Sequence, residues 1–115
     1  MHDFNYHRPS GLFSALEAFT RAEDGQYLAG GQTTIPVLKL RLAMPTDLID
    51  LADIEELQGI SVSETTVTVG AMTTHAEVAS SASIRDAIPA LAEMAGGIGD
   101  PHVRNLGTLG GSIAN

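Results

Sequence analysis

Ala29-Gly30-Gly31-Gln32-Thr33-Thr34 stands between a short apolar run, Tyr27-Leu28-Ala29, and an apolar-periodic stretch, Ile35-Pro36-Val37-Leu38-Lys39-Leu40-Arg41-Leu42, and its reading decides the fold. Two adjacent glycines let the backbone take φ > 0 and let a ligand come close, because no Cβ stands in the way. The hydroxyl and amide side chains that follow can cap a helix and donate to an anion. Pro36 falls where a first helical turn tolerates it. A helix beginning here would aim its unpaired N–H groups and the positive end of its dipole back at the glycine turn, the geometry of a phosphate or diphosphate cradle.

Beyond that helix, Pro45 and Thr46 break the pattern and Leu48-Ile49-Asp50-Leu51 reads as a strand. Strand, glycine turn, helix and strand make a βαβ unit, whose crossover implies parallel strands and places ligands at their carboxyl ends. Upstream, Leu12, Leu16 and Phe19 recur at helical spacing beside Phe13 and Ala15, predicting an amphipathic helix capped by Ser10 and ending before Asp24-Gly25. Downstream, residues 52–57 predict a helical turn, and Gly59–Ser63 with Thr66–Ala71 predict an antiparallel pair joined around Glu64-Thr65. A helix follows with Thr73 or Thr74 as cap and Glu77 as the capping-box acid. Another begins at Pro89 and closes at Gly96-Gly97.

Six of the twelve glycines lie in the last twenty residues, so the tail is not expected to continue as simple helix or sheet. Thr108-Leu109-Gly110-Gly111-Ser112 echoes the opening motif, a Gly-Gly pair followed by a hydroxyl. Two such turns could hold the two sides of one diphosphate with backbone N–H groups.

Composition narrows the function. The chain has 115 residues, 43% hydrophobic and 17% charged, which suits one ordinary globular domain. A net charge of −8 with only six scattered Lys and Arg argues against nucleic acid. Asp47, Asp50, Asp53, Glu55 and Glu56 cluster, and a run of this kind reads as a solvated face. No cysteine is present, which excludes thiolate metal sites and Cys nucleophiles and fits a reducing compartment. With no secretory-type apolar core near the N-terminus and no membrane-length apolar run, a soluble, cytoplasmic protein is expected.

Neither a Walker loop nor a G-x-G-x-x-G fingerprint occurs, and a lone Gly-Gly is more often just a tight strand-to-helix connection. Lys39 reads as a surface residue with a snorkelling stem. Arg104, ahead of the second glycine turn, is either a ligand group or the partner of Asp100 in a salt bridge. His2, His7, His75 and His102 are too dispersed for a metal site, and His75 reads as structural or exposed. No catalytic acid, base, nucleophile or metal site is assigned.

The segments Tyr27–Thr34, Leu38–Ala43, Val69–His75, Ile98–Asn105 and Leu106–Asn115, in this order, resemble the FAD-binding medium subunit of the molybdenum hydroxylases, the carbon monoxide dehydrogenase and xanthine dehydrogenase type. The resemblance implies an α+β fold of the vanillyl-alcohol-oxidase (PCMH-like) type, which binds FAD without a Rossmann domain. On this basis residues 1–52 form a βαβ diphosphate-binding subdomain and 53–115 an incomplete second FAD-binding subdomain. Leu28, Ala29, Gly30, Gly31, Gln32, Thr33 and Thr34 become the first FAD-diphosphate loop. Thr108, Gly110, Gly111 and Ser112 become the second, with Asn115 near the flavin and Ile98 an apolar contact.

The implied function is electron transfer from 2Fe-2S clusters of a small subunit, fed by molybdopterin in a large subunit, through FAD to an external acceptor. The family continues where this sequence stops, so a truncated chain, inactive alone and prone to self-association, is expected. The alternatives are a flavin-free assembly piece and a module for another phosphorylated ligand.

Overall fold

A computed structural model of the chain describes residues 1–114, which form two compact units, Met1–Glu56 and a second beginning at Leu57. In the first, β1 (Asn5–His7), α1 (Leu12–Arg21), β2 (Gly25–Leu28), α2 (Thr34–Lys39) and β3 (Asp47–Asp50) follow one another. Both β1 and β2 pair with β3 in parallel, so β3 is central in the order β1-β3-β2. The β2-α2-β3 segment is the anticipated βαβ unit. Leu48 and Ile49 of β3 are buried along with Leu28, Leu38, Ile54 and Ala15, and the continuous apolar centre of β3 suits a strand flanked on both sides.

Several local expectations need correction. Gly11, not Ser10, occupies the N-cap of α1, with no side-chain cap. The helix starts at Leu12, and the Ser14 hydroxyl donates back to the Gly11 carbonyl. The α1 stripe is also not a core face: only Ala15 is buried, while Phe13 is 79% exposed and Phe19 stacks on Tyr27 at 4.6 Å. Strand β2 runs over Gly25–Leu28, beginning two residues before Tyr27 and ending one before Ala29, and β3 ends at Asp50, before Leu51.

Helix α2 stops at Lys39, not Leu42. Arg41 takes φ 57°. The Leu42 N–H donates to Val37 O and the Arg41 N–H to Leu38 O, the pair of bonds that ends a helix when the residue past the cap turns left-handed. An arginine does here what glycine usually does, so composition gave no stop signal.

The acidic cluster is not merely a solvated face. Asp50 is buried and accepts from the Tyr6 hydroxyl and, at 3.0 Å, from the Ala52 N–H. His7 Nε2 lies 2.7 Å from Asp47 Oδ2. Arg8 donates to both oxygens of Asp53. These partners anchor β1, a strand that the short segment Asn5–His7 does not announce.

In the second unit β4 (Ile60–Val62) and β5 (Val67–Val69) form the anticipated antiparallel hairpin. Helices α3 (His75–Ser80), α4 (Ala82–Ala87), α5 (Pro89–Gly96), α6 (Pro101–Leu106) and α7 (Leu109–Ala114) follow. Val78, Ile84, Ala92 and Ala95 make the core, with Ile60, Val67, Val69, Ala79 and Leu91 against it. Thr74 is the cap of α3 in a full capping box with Glu77, while Thr73 is buried and bonds Gly59 instead.

The glycine-rich tail is helical after all. Asp100 accepts from the Val103 N–H at 2.9 Å and Pro101 opens α6, a strong start that outweighs the glycines, of which Gly97, Gly99 and Gly107 sit between helices while Gly96, Gly110 and Gly111 lie within them. Ser81 caps α4 in the same way, a helix too short for its periodicity to stand out.

Candidate functional site

The first glycine loop leaves the carboxyl end of β2. Leu28 is buried, and its carbonyl accepts from the Leu51 N–H at 3.0 Å, so the loop departs from a fixed strand end beside the end of β3. Gly31 has φ +79°, and a Cβ added there would lie 3.0 Å from Ile35 Cγ1. Both facts exclude an ordinary side chain at that point.

Beyond Gly31 the Ile35 N–H donates to the Gly31 carbonyl and the Val37 N–H to the Thr33 carbonyl, which turns the chain into α2. The N–H groups of Ala29, Gly30, Gly31, Gln32, Thr33 and Thr34 have no acceptor among the described residues. The Gly31 and Thr33 carbonyls are used while the N–H groups are left, in a loop without an acidic side chain. Such a row of N–H groups can receive an anion, above all at the half-buried Ala29, Gly30, Gly31 and Thr34; Gln32 and Thr33 are exposed. Thr33 occupies the N-cap of α2 without a side-chain bond to it, leaving its hydroxyl also uncommitted to capping. With only six residues α2 adds little dipole, so the loop's own donors dominate.

The second glycine loop, in the other unit, is built differently. The Leu109 N–H donates to Thr73 O, the Gly110 N–H to Ala71 O, the Gly111 N–H to Thr108 Oγ1 and the Ser112 N–H to Thr108 O. Its backbone donors are therefore already paired. Thr108 is buried, bridges to Thr74 across the chain and caps its own turn. Gly110 is held against the chain, since a Cβ there would meet Ala71 Cβ and O at 2.7 Å. Ser112 is exposed, with its Oγ 2.9 Å from His75 Nε2. What this loop offers a ligand is the Ser112 hydroxyl, since the Cβ side of Gly110 is taken up by packing on Ala71.

Ile98 is half-buried. Its carbonyl and that of Gly99 accept from Arg104 Nη1 at 3.3 and 2.9 Å. Among the described residues Arg104 makes no ion pair with Asp100; its guanidinium clamps the Ile98-Gly99 turn. Asn115 lies outside the described residues. Lys39 is exposed. Among the described residues no group of His, Cys, Asp or Glu could hold a metal ion, and no helix is long and apolar enough to cross a membrane.

His75 is the residue that spacing did not single out. It is 3% exposed, starts α3 and reaches the second loop. The only hint in the sequence was its place directly after the cap Thr74.

The electrostatic shifts lie in the first unit, at its β1 anchors. The hydrogen bond to the Asp50 carboxylate raises the Tyr6 phenol above its ordinary range. The bond from His7 holds the Asp47 carboxyl below the usual carboxylate range, and Asp53 raises the Arg8 guanidinium. These are structural ties of β1 to β3 and to the segment after it.

Comparison with known proteins gives the family. Residues 2–115 match the family model described as the FAD binding domain in molybdopterin dehydrogenase. The carbon monoxide dehydrogenase medium chain of Hydrogenophaga pseudoflava is 43% identical over 113 residues, covering 97% of this chain and 39% of that one. That of Afipia carboxidovorans is 42% identical with the same coverage. A solved carbon monoxide dehydrogenase from Hydrogenophaga pseudoflava superposes with a TM-score of 0.95 at 43% identity, over 98% of this chain and 40% of that one. The chain spans about two fifths of the length of the curated relatives it matches. It belongs to the family of FAD-binding domains of molybdopterin dehydrogenases.

Proposed function

We propose that this chain supplies a diphosphate-binding part of the FAD site in the flavoprotein subunit of a cytoplasmic molybdopterin-dependent dehydrogenase. The observation that carries the proposal is the row of N–H groups from Ala29 to Thr34 without an acceptor among the described residues, opened by Gly31 at φ +79°. Family membership supports reading the anion as the diphosphate of FAD. When bound, FAD would supply the redox chemistry that links 2Fe-2S clusters of a small subunit, downstream of molybdopterin in a large subunit, to an external acceptor.

In this reading the residues of the chain bind and position. Leu28 fixes the root of the loop, Gly30 and Gly31 admit the diphosphate, and Gln32, Thr33 and Thr34 add donors. Gly110 seats the second loop on Ala71, Gly111 keeps it free of a side chain, Thr108 holds its turn, and Ser112 presents a hydroxyl. Ile98 and Asn115 complete the assignment as flavin-side contacts.

The test is a flavin titration of the stripped polypeptide carrying this sequence, followed by flavin fluorescence. Tight binding that is weakened by a bulky residue at Gly31 or Gly111 supports the proposal; binding indifferent to both overturns it. A second reading, a flavin-free assembly piece, draws on the exposed Leu12, Phe13 and Leu16 of α1 and Leu40, Leu42 and Met44 after α2. These are apolar surface that partner subunits or a second copy would cover. Stable oligomers without flavin affinity would select it.

A further inference from the structure

The second loop has spent its backbone donors, so the polarity of the Ser112 hydroxyl decides whether the loop attracts or repels a phosphate oxygen. A serine hydroxyl carries one hydrogen. If it donates to the imidazole of His75, only lone pairs face outward and an anion is repelled. If His75 Nε2–H donates to Oγ, the hydroxyl hydrogen is free to point at the anion, and a charged acceptor makes that bond a strong one.

We propose that His75 is a positioning residue: it gives a hydrogen bond from Nε2 to Ser112 Oγ and so turns the serine hydroxyl into a donor toward the FAD diphosphate. The inference rests on the reading of Ser112 as a diphosphate contact. The contact itself is 2.9 Å. The ring is 3% exposed and is fixed from several sides. The capping box of Thr74 and Glu77 sets the first turn of α3, and the His75 N–H donates to Gly107 O at 3.0 Å. The ring lies so close over Gly107 that a Cβ there would sit 3.1 Å from Cδ2 and 3.5 Å from Nε2. An imidazole held this way cannot follow a mobile partner, so it dictates the orientation of the hydroxyl.

The experiment uses the whole polypeptide that carries this sequence, stripped of flavin and titrated with FAD and, as a phosphate-free probe, with riboflavin. His75→Met, which has no donor, is expected to weaken FAD binding about tenfold, the worth of one hydrogen bond to a charged group, and to leave riboflavin binding unchanged. His75→Gln, whose amide N–H can replace Nε2–H, is expected to stay within about threefold of the parent. Ser112→Ala should match His75→Met, and the double variant should be no weaker than either. Should His75→Met fail to fold in a melt without flavin, Gly107→Ala, whose Cβ would lie 3.0 Å from Val103 O and 3.1 Å from the ring, takes its place, with weaker FAD binding and unchanged riboflavin binding expected and equal loss of both counting against the positioning role.

If Ser112→Ala leaves FAD binding intact, the assignment of Ser112 to the diphosphate falls and the inference with it. If Ser112→Ala weakens binding but His75→Gln does not rescue, or the two losses add in the double variant, the positioning role alone is overturned.

Discussion

Replacing Gly31 by alanine separates the conformational from the steric demand of the first loop. At φ +79° an alanine pays the left-handed penalty of about 1–2 kcal/mol. Its Cβ also comes within 3.0 Å of Ile35 Cγ1, so Ile35 must give by a few tenths of an ångström. If the backbone relaxes toward negative φ instead, the N–H vectors of Gly31 and Gln32 turn away. Losing one donor to a charged acceptor, worth about 1.5–3 kcal/mol, raises the dissociation constant for FAD about 10- to 100-fold. Asparagine at the same position meets the same Ile35 contact but tolerates the left-handed region. Urea denaturation and flavin titration of both variants read the two effects. The expected order in stability and in affinity is glycine, then asparagine, then alanine. Equal behaviour of asparagine and alanine, whether harmless or damaging, would refute the reasoning from φ.

Three further perturbations address the scaffold. Thr74→Ala removes the capping box, in which the Glu77 N–H donates to Thr74 Oγ1 at 3.2 Å, and should cost about 1 kcal/mol by denaturant midpoint. Gly110→Ala drives a Cβ to 2.7 Å from Ala71 Cβ and O, where main-chain atoms cannot step aside, and should lower stability by about 1–3 kcal/mol with or without FAD. Because the bond from His7 depresses the Asp47 carboxyl, its stabilisation is present above the unfolded value of about 4 and is lost as pH falls through the lower folded value. The gap in melting temperature between parent and Asp47→Asn should therefore be widest near neutral pH and shrink toward pH 3; a constant gap would show that the His7 bond contributes nothing.

Much of the architecture was legible because strong local signals carried it. The βαβ unit followed from an apolar strand, two glycines, a helical period and a break at Pro45. The β4-β5 hairpin followed from alternating β-branched residues, and α3 from Thr74 and Glu77. What was not legible depended on partners distant in sequence. Strand β1 is three residues long and is recognisable only through Tyr6, His7 and Arg8 meeting Asp50, Asp47 and Asp53. The end of α2 rests on Arg41 in a left-handed conformation, which no propensity announces. In the tail, the caps Asp100 and Thr108 mattered more than the glycine count.

The two glycine motifs look alike in sequence and differ in use. The first loop keeps its N–H groups, whereas the second gives its own to Ala71, Thr73 and Thr108 and leaves Ser112 to face outward. Only tertiary contacts distinguish them, which is also why His75, remote from Ser112 by 37 positions, did not stand out.

Amide hydrogen exchange over residues 29–34 in the whole polypeptide, with and without FAD, tests the diphosphate loop at its own N–H groups. Unpaired N–H groups exchange quickly; saturating FAD is expected to slow them in this segment while the already paired amides of residues 109–112 change less. FAD bound at full occupancy with exchange across residues 29–34 unaltered would contradict the assignment of this loop to the diphosphate.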